Sequence, residues 1–397
     1  MSIEVSVNKR LTDISDIISG CIEKSYPFAL WRKPNQSETF FLFSKTRTPV
    51  YKQIDFQELD SGFVMAPFSK SGAGPLFIEG DFISRLDGSD IVENWDTVPD
   101  DLKDHLQQAG HSSETHLLLE LSLETLENEK KVYQEKVSAA ISAIQNAGVE
   151  KVVLSRKKHV GKISGNGFFE AFEKLDKAYP SAFISMTWLP WLNQLWLGAT
   201  PETLVEQTPD GFFKTMALAG TQYAFDKDGQ EIKPIDALWT QKEIEEQALV
   251  SRYIINCLKK IRVREFKEEG PRTLKAGNLL HLSTLYSIDT KEISFPQLSS
   301  VMLELLHPTS AVCGMPKEAS LDFIESHENY DREFYSGFLG PINIEGSSHL
   351  FVNLRTMKIE AGEVYCYAGG GITTHSDPEK EWKETELKLQ TILKSFD

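Results

Sequence analysis

The sequence predicts an α+β fold, and three observations lead there. Short β-rich runs are interleaved with longer segments of helical period. The two kinds of segment do not follow the regular βαβ rhythm of a doubly wound sheet. No Walker A or GxGxxG loop leads from a strand into a helix, which weakens nucleotide-dependent readings.

In chain order, roughly the first 120 residues alternate short apolar runs (FFLFSK, GFVMAPF, HLLLELS) with polar turns, a strand pattern without recognisable chemistry. Leu126–Ala147 reads as a helix with Tyr133, Val137, Ile141 and Ile144 on one face and Gly148 as its stop. Lys151–Ser155 and Gln194–Gly198 are buried-strand candidates. Trp239–Ile261 reads as a helix with Ile244, Ala248, Ile255 and Leu258 on or near one side. His349–Ile359 and Glu363–Ala368 read as a hairpin around Glu360-Ala361-Gly362. The last helix has Asp377 as N-cap, Pro378 at its first position, and Trp382, Leu389 and Leu393 facing inward.

Composition sets outer bounds. With 397 residues, 41% hydrophobic and 25% charged, the chain is of ordinary globular make-up and long enough for a substantial core. Its net charge of −16 argues against nucleic acid or an anionic membrane as the main partner. The four cysteines, at 21, 257, 313 and 366, show no metal-ligand spacing and read as free thiols of a reducing compartment. The opening MSIEVSVNKRLTDISDI lacks a signal-peptide core, and no window is apolar enough to span a membrane. A cytoplasmic protein is the expectation.

Several residues invite a chemical reading, each beside a plainer one. Glu381, Glu384 and Lys388 share a helix face; such spacing commonly makes an exposed salt-bridged surface. Glu243, Glu245 and Glu246 near a helix start can complement its dipole, but their crowding also suits a shared cation. Carboxylates from two helices, completed by water and substrate oxygens, are the usual way to hold Mg²⁺. No HExxH or other zinc pattern competes, and a lone His281 is more often structural than catalytic. Gly369-Gly370-Gly371 permits either a tight turn or close backbone approach to a ligand. Arg355, in a strand-like run, needs an anionic partner if it points inward. Lys151 opens an apolar strand and can simply mark its solvent end.

From about Lys151 onward, the chain resembles the chorismate-utilising enzymes, which include isochorismate, salicylate, anthranilate and aminodeoxychorismate synthases. The resemblance is carried by KVVLSR (151–156), LGATPETLV (197–205), ALAGT (217–221), KEIEEQALV (242–250), LLHPTSAVCGMPKEA (305–319), DREFYSGFLG (331–340), NLRTMKI (353–359), YAGGGI (367–372) and DPEKEWKETELKL (377–389). It implies one large α+β domain spanning residues 1–397, two packed β-sheets flanked by helical layers, with residues 1–120 a divergent part of the same fold. It also implies Lys151 as the base that activates water, Glu202 as the general acid, and Glu246 and Glu384 as ligands of Mg²⁺. Gly220, Thr221, Ala311, Arg355, Gly369 and Lys388 would hold the substrate, and Glu381 would reach the metal through water. Histidines that many relatives carry beside Glu246 are replaced by Glu245 and Gln247, which leaves open which of Glu245 and Glu246 faces the metal.

Within the family, HPTSAVCG is the most useful segment. Isochorismate synthases resemble HPTPA[LV]xG here, with alanine at the place of Ala311, whereas ammonia-using and salicylate-forming relatives tend to carry threonine or another residue. No tryptophan-binding segment like that of anthranilate synthases is evident. The expectation is therefore an isochorismate synthase that adds water at C2 as the C4 hydroxyl leaves, serving menaquinone or siderophore synthesis. It would be a monomer without an amidotransferase subunit. Salicylate synthase, an amidotransferase-partnered synthase component and a non-catalytic chorismate-binding paralogue are the alternatives. As base Lys151 needs to be neutral, and as acid Glu202 needs to be protonated, hence raised in pKa.

Overall fold

A computed structural model of the chain describes residues 12–69, 74–87, 90–91, 97–108, 118–121, 126–146, 148–165 and 167–393. Its strands form two antiparallel sheets, one of twelve strands and one of eight. At the centre of the larger sheet, Phe183–Leu189, Gln194–Thr200, Thr356–Glu360, Glu363–Ile372 and Lys151–Ser164 are successive neighbours. At the centre of the smaller sheet lie Leu279–Asp289, Phe212–Tyr223, Thr203–Gln207, Ser348–Val352 and Phe338–Ile342. The N-terminal strands are woven into both. Phe28–Arg32 pairs with Phe183–Leu189 in the large sheet, and Gly62–Ala66 pairs with Phe338–Ile342 in the small one.

The sheets pack face to face through aromatic side chains: Phe183 stacks on Phe351 with centroids 4.1 Å apart, and Trp31 meets Phe63 at 5.4 Å. Helices cover both outer faces. Ile14–Glu23 and Phe168–Ala178 pack on the large sheet, and Gln241–Lys260 and Leu298–Leu306 on the small one. A strand held between a second sheet and a helical layer is buried on both faces, so FALWR and GFVMA are continuous buried runs without polar alternation.

Several expectations from the sequence hold. The helix after residue 125 runs Leu126–Asn146, with Ala147 outside the described residues and Gly148 at φ +71°. The terminal helix runs Pro378–Leu393 with Asp377 as its cap, its carboxylate accepting from the Lys380 N–H at 2.9 Å. All four cysteines are free and buried. Among the described residues, no helix is long and apolar enough to cross a membrane.

Two expectations are corrected. The run 349–359 is not one strand: Ser348–Val352 belongs to the small sheet and Thr356–Glu360 to the large one. The chain crosses between them at Asn353-Leu354-Arg355, where Arg355 adopts φ +49°, a conformation that ends any strand. The second correction concerns the helix Gln241–Lys260. Ile244 is 48% exposed and Ala248 is exposed, while Glu246, Gln247, Leu249, Val250, Ile254, Cys257 and Leu258 are buried. Its inward stripe begins with two polar residues, which a search for apolar periodicity passes over.

Candidate active site

The site lies where the chain passes from one sheet to the other. Gln194–Thr200 ends in the large sheet and Thr203–Gln207 begins in the small one, leaving Pro201 and Glu202 at the crossing. Arg355 sits at the second crossing. Hydrogen bonds tie the two together: Ala199 N–H donates to Arg355 O at 3.0 Å, Val352 N–H to Glu202 O at 3.0 Å, and the Thr200 hydroxyl to Val352 O at 2.6 Å. An acid and a cation are thus brought side by side by two strand switches rather than by sequence proximity.

Gly220 interrupts the pairing of Phe212–Tyr223 with Leu279–Asp289, the register shifting between Ala219 and Thr221. Its φ of +70° suits glycine, and a Cβ there would come 2.9 Å from the Glu243 Cβ. The bulge aims the Gly220 carbonyl at His281 Nδ1, 3.0 Å away, and His281 Nε2 faces Arg355 Nη2 at 2.9 Å. Arg355 can only donate, so Nε2 accepts and the Nδ1–H donates to Gly220 O, a tautomer assigned from its partners. Burial and then the Arg355 charge hold His281 well below the usual histidine pKa, which keeps it neutral. Arg355 itself is 7% exposed and makes no ion pair among the described residues. A buried guanidinium without a counter-ion is costly unless an anion is to join it.

Gly369-Gly370-Gly371 runs along the strand Glu363–Ile372 beside Leu154, Ser155 and Val153. A Cβ on Gly371 would overlap Glu246 Oε1 and come 2.8 Å from Lys151 Cε; one on Gly370 would lie 3.0 Å from Glu381 Oε2. Gly370 and Gly371 therefore clear space for carboxylates. Each carboxylate has a lysine: Lys151 Nζ is 3.0 Å from Glu246 Oε1, Lys242 Nζ 2.5 Å from Glu381 Oε1, and Lys388 Nζ 2.7 Å from Glu384 Oε1. Lys388 also donates to Gly369 O at 2.8 Å. Burial raises the Glu384 pKa, but Lys388 and Lys242 outweigh it and hold the group below the usual carboxylate range. Glu381 moves the other way, raised by burial and by the Glu384 charge, and its buried Oε2 has no hydrogen-bond partner.

Glu202 is 4% exposed, and burial pushes its pKa up to about 8 against the pull of Lys151, Lys388 and Arg355. At neutral pH it is mostly protonated and can donate. Lys151 is fully buried; its Nζ touches Glu246 without hydrogen-bond geometry.

One cavity gathers Glu202, Gly220, Thr221, Glu246, Ala311, Arg355, Gly369 and Lys388. Lys151 and Glu384 are not part of its lining; they adjoin it through Glu246 and Lys388, with which they pair. Of the adjacent pair, Glu246 faces the cavity, whereas Glu245 turns away to Gln241 (2.8 Å) and His375 (3.8 Å). Sequence reasoning passed over three contributors. His281 reads in sequence as more often structural or surface than catalytic, Lys242 carries no signal of its own, and Tyr367 forms a wall with Tyr335, their rings stacked 5.1 Å apart. Spacing carries no sign of His281, because its partners are 61 and 74 residues away. A larger cavity, lined by Ile54, Pro67, Val301 and Phe338 among others, lies elsewhere and brings together none of these groups.

Comparison with known proteins bears on this constellation. A family model described as chorismate binding enzyme matches residues 86–397. The chain is 27% identical to the vibriobactin-specific isochorismate synthase of Vibrio cholerae over 264 residues, covering 66% of this chain and 65% of that protein. It is 32% identical to the salicylate biosynthesis isochorismate synthase of Pseudomonas aeruginosa, covering 68% of this chain and 55% of that one. Among solved structures, the menaquinone-specific isochorismate synthase MenF of Escherichia coli superposes with a TM-score of 0.76 at 21% identity, over 98% of this chain and 92% of that chain. That likeness concerns the fold, and it agrees with two packed antiparallel sheets. By the match over residues 86–397, the chain belongs to the chorismate binding enzyme family.

Proposed function

We propose that the protein is an isochorismate synthase: it adds water at C2 of chorismate as the C4 hydroxyl departs. The observation that carries this reading is Arg355, a buried cation that makes no ion pair among the described residues, beside a protonated Glu202 and the Lys388 ammonium. A dicarboxylate entering a protein of net charge −16 requires such local cations. Arg355, held in place by His281, receives a substrate carboxylate, with the backbone at Gly220-Thr221 and Gly369 close enough to add hydrogen bonds.

In the proposed reaction, the Lys151 ammonium first gives up its proton, and the neutral amine then takes a proton from water as the water oxygen bonds to C2. Both ring double bonds shift across the diene, and the C4–O bond breaks with the proton supplied by Glu202. One water enters and one leaves, so substrate and product are isomers. Lys151 and Glu202 then exchange protons with solvent to restore their starting states. Ala311 contributes a small apolar wall that leaves room for water as the nucleophile.

The residues fit Mg²⁺. Gly370 and Gly371 leave room beside carboxylates, Glu381 Oε2 is an unpartnered buried acceptor, and all donors are hard oxygens. No group of three or more His, Cys, Asp or Glu residues is close enough to hold a metal among the described residues. Mg²⁺, however, characteristically takes one or two carboxylates and keeps water and substrate oxygens. Glu246 and Glu384 would hold it, with Glu381 acting through water. When bound, it would supply positive charge to orient the ring carboxylate.

The reading includes a monomer acting in the cytoplasm without an amidotransferase subunit. Its residue assignments are tested by Lys151→Ala and Glu202→Gln. Each is expected to abolish turnover of chorismate while circular dichroism remains that of the parent. An active variant of either removes that residue's assigned role.

A further inference from the structure

We infer that Glu328 and Arg332 are positioning residues, a buried ion pair that takes the place of a strand rung and so sets where the Ala311 wall lies relative to Lys151. The inference rests on the reading of Lys151 as base and Ala311 as the wall beside the attacking water, and it names what holds the two in place.

The strand Lys151–Ser164 pairs along one edge with Glu363–Ile372, and its other edge begins a ladder with the short strand Gly314–Met315. Gly314 lies opposite Val152 and Met315 opposite Lys151, and the Val153 N–H still donates to Cys313 O at 3.0 Å. Beyond that bond the partner chain leaves the sheet and carries Val312 and Ala311 to the cavity. A strand edge left in this way presents carbonyl and N–H groups that must find other partners when buried.

The ion pair supplies them. Arg332 Nη2 donates to Val153 O at 2.8 Å, while Glu328 Oε1 accepts from the Ser155 N–H at 2.5 Å and from the Ser155 hydroxyl at 3.0 Å. Across the gap, Arg332 Nη1 donates to Val312 O at 2.8 Å. One guanidinium therefore bridges the strand of Lys151 and the segment of Ala311. Glu328 fixes its orientation with both oxygens, Nε to Oε2 at 2.7 Å and Nη2 to Oε1 at 2.6 Å, and the Phe68 ring covers its face at 4.2 Å. Both charged side chains are only 2% exposed.

Stability alone is a poor account of such a pair, because burying two charges costs desolvation that their attraction often only offsets. An apolar pair of similar volume would lack the two directed donors and the acceptor. The groups they serve belong to the site. Val153 and Val312 both line the cavity, and Lys151 shares a strand face with Val153. Ser155 lies opposite Gly369, whose carbonyl receives Lys388. Neither Glu328 nor Arg332 is among the residues that line the cavity, so the pair acts through backbone placement. A shift of about 1 Å between base and wall is enough to cost roughly a hundredfold in rate.

The test measures kcat and KM for chorismate, per folded molecule, in the parent, Arg332→Lys and Glu328→Gln proteins, together with their melting temperatures. Arg332→Lys keeps the charge opposite Glu328 but lacks the fork that reaches both carbonyls. Its kcat is expected to fall roughly tenfold or more while KM stays within about threefold, since Arg355 and Lys388 are untouched. Glu328→Gln still offers an acceptor to Ser155 and leaves Arg332 its two carbonyls. It is expected to melt at lower temperature yet keep kcat within about threefold of the parent. If Arg332→Lys does not fold, Arg332→Gln, which reaches one carbonyl only, replaces it. If Glu328→Gln does not fold, Ser155→Ala, which removes one bond to Glu328, serves as the less stable control. An unchanged kcat in the Arg332 variant, a rise in KM alone, or a kcat that simply follows melting temperature across the set overturns the positioning role and leaves isochorismate formation by the parent standing. A parent that forms no isochorismate overturns the proposed function and this role with it.

Discussion

Glu202 carries a proton at neutral pH because its carboxyl is buried, even though three cations pull the other way. The pH consequences follow from its pKa of about 8 against an ordinary value of 4.5. A folded-state pKa above the unfolded one means stability that is fully present below pH 4.5 and declines as pH rises toward 8. Glu202→Gln cannot ionise and is expected to lose less stability than the parent between pH 6 and 9, by roughly 1–3 kcal/mol, in denaturant titrations. A parallel decline in both proteins would contradict the assignment. In the proposed site, His281 would stand one step back from the substrate, holding Arg355. His281→Ala is expected to raise KM by roughly tenfold, about 1.4 kcal/mol, with a smaller change in kcat. Equal loss in both parameters would argue for direct participation. This residue also shows where sequence reading stops. Lys151, Glu202 and Arg355 are assigned their roles through motif resemblance, whereas His281 draws its significance from Gly220 and Arg355, which the fold brings together from distant positions.

At the scale of elements, the site depends on irregularities: two strand crossings, a bulge and a glycine run. Regular periodicity reveals helices such as Leu126–Asn146 and Pro378–Leu393 well, because their inward residues are apolar and their ends carry recognisable stops or caps. It fails at 349–359, where apolar residues continue through a change of sheet and only the φ of Arg355 marks the break. It fails again along Gln241–Lys260, whose buried stripe starts with Glu246 and Gln247. Gln247 is nonetheless held: its amide donates to Thr284 Oγ1 at 3.0 Å, fixing the rotation that turns Glu246 toward Gly371. The glycine run makes a sharper prediction. Gly371→Ala places a methyl group against the Glu246 carboxylate and Lys151 Cε. It is expected to abolish turnover and to cost roughly 1–3 kcal/mol of stability, as overpacking typically does. A fully active Gly371→Ala variant would show that Glu246 need not stay where it is.

Across the whole molecule, the N-terminal strands carry none of the proposed catalytic residues yet complete both sheets. Trp31, Phe63 and Phe183 share the inter-sheet layer with Tyr335 and Tyr367, which line the cavity, so packing links the divergent N-terminal part to the site wall. We propose on this basis that residues 1–397 fold as one domain. Limited proteolysis is expected to yield no stable fragment ending near residue 120, and a separately folding C-terminal fragment that retains activity would count against it. The α+β class was legible from the mixture of runs, but the partners of each strand were not. Strands such as Gly62–Ala66 and Phe338–Ile342 meet across a separation that local pattern does not encode. The central claim is that water, aided by Mg²⁺, is the nucleophile delivered to chorismate. Its most direct test is incubation of the purified protein with chorismate and Mg²⁺, without ammonia, followed by chromatographic separation of the products. The account predicts isochorismate as the product, lost when a chelator is added. Salicylate with pyruvate, or turnover only when ammonia or a glutaminase is supplied, would contradict it.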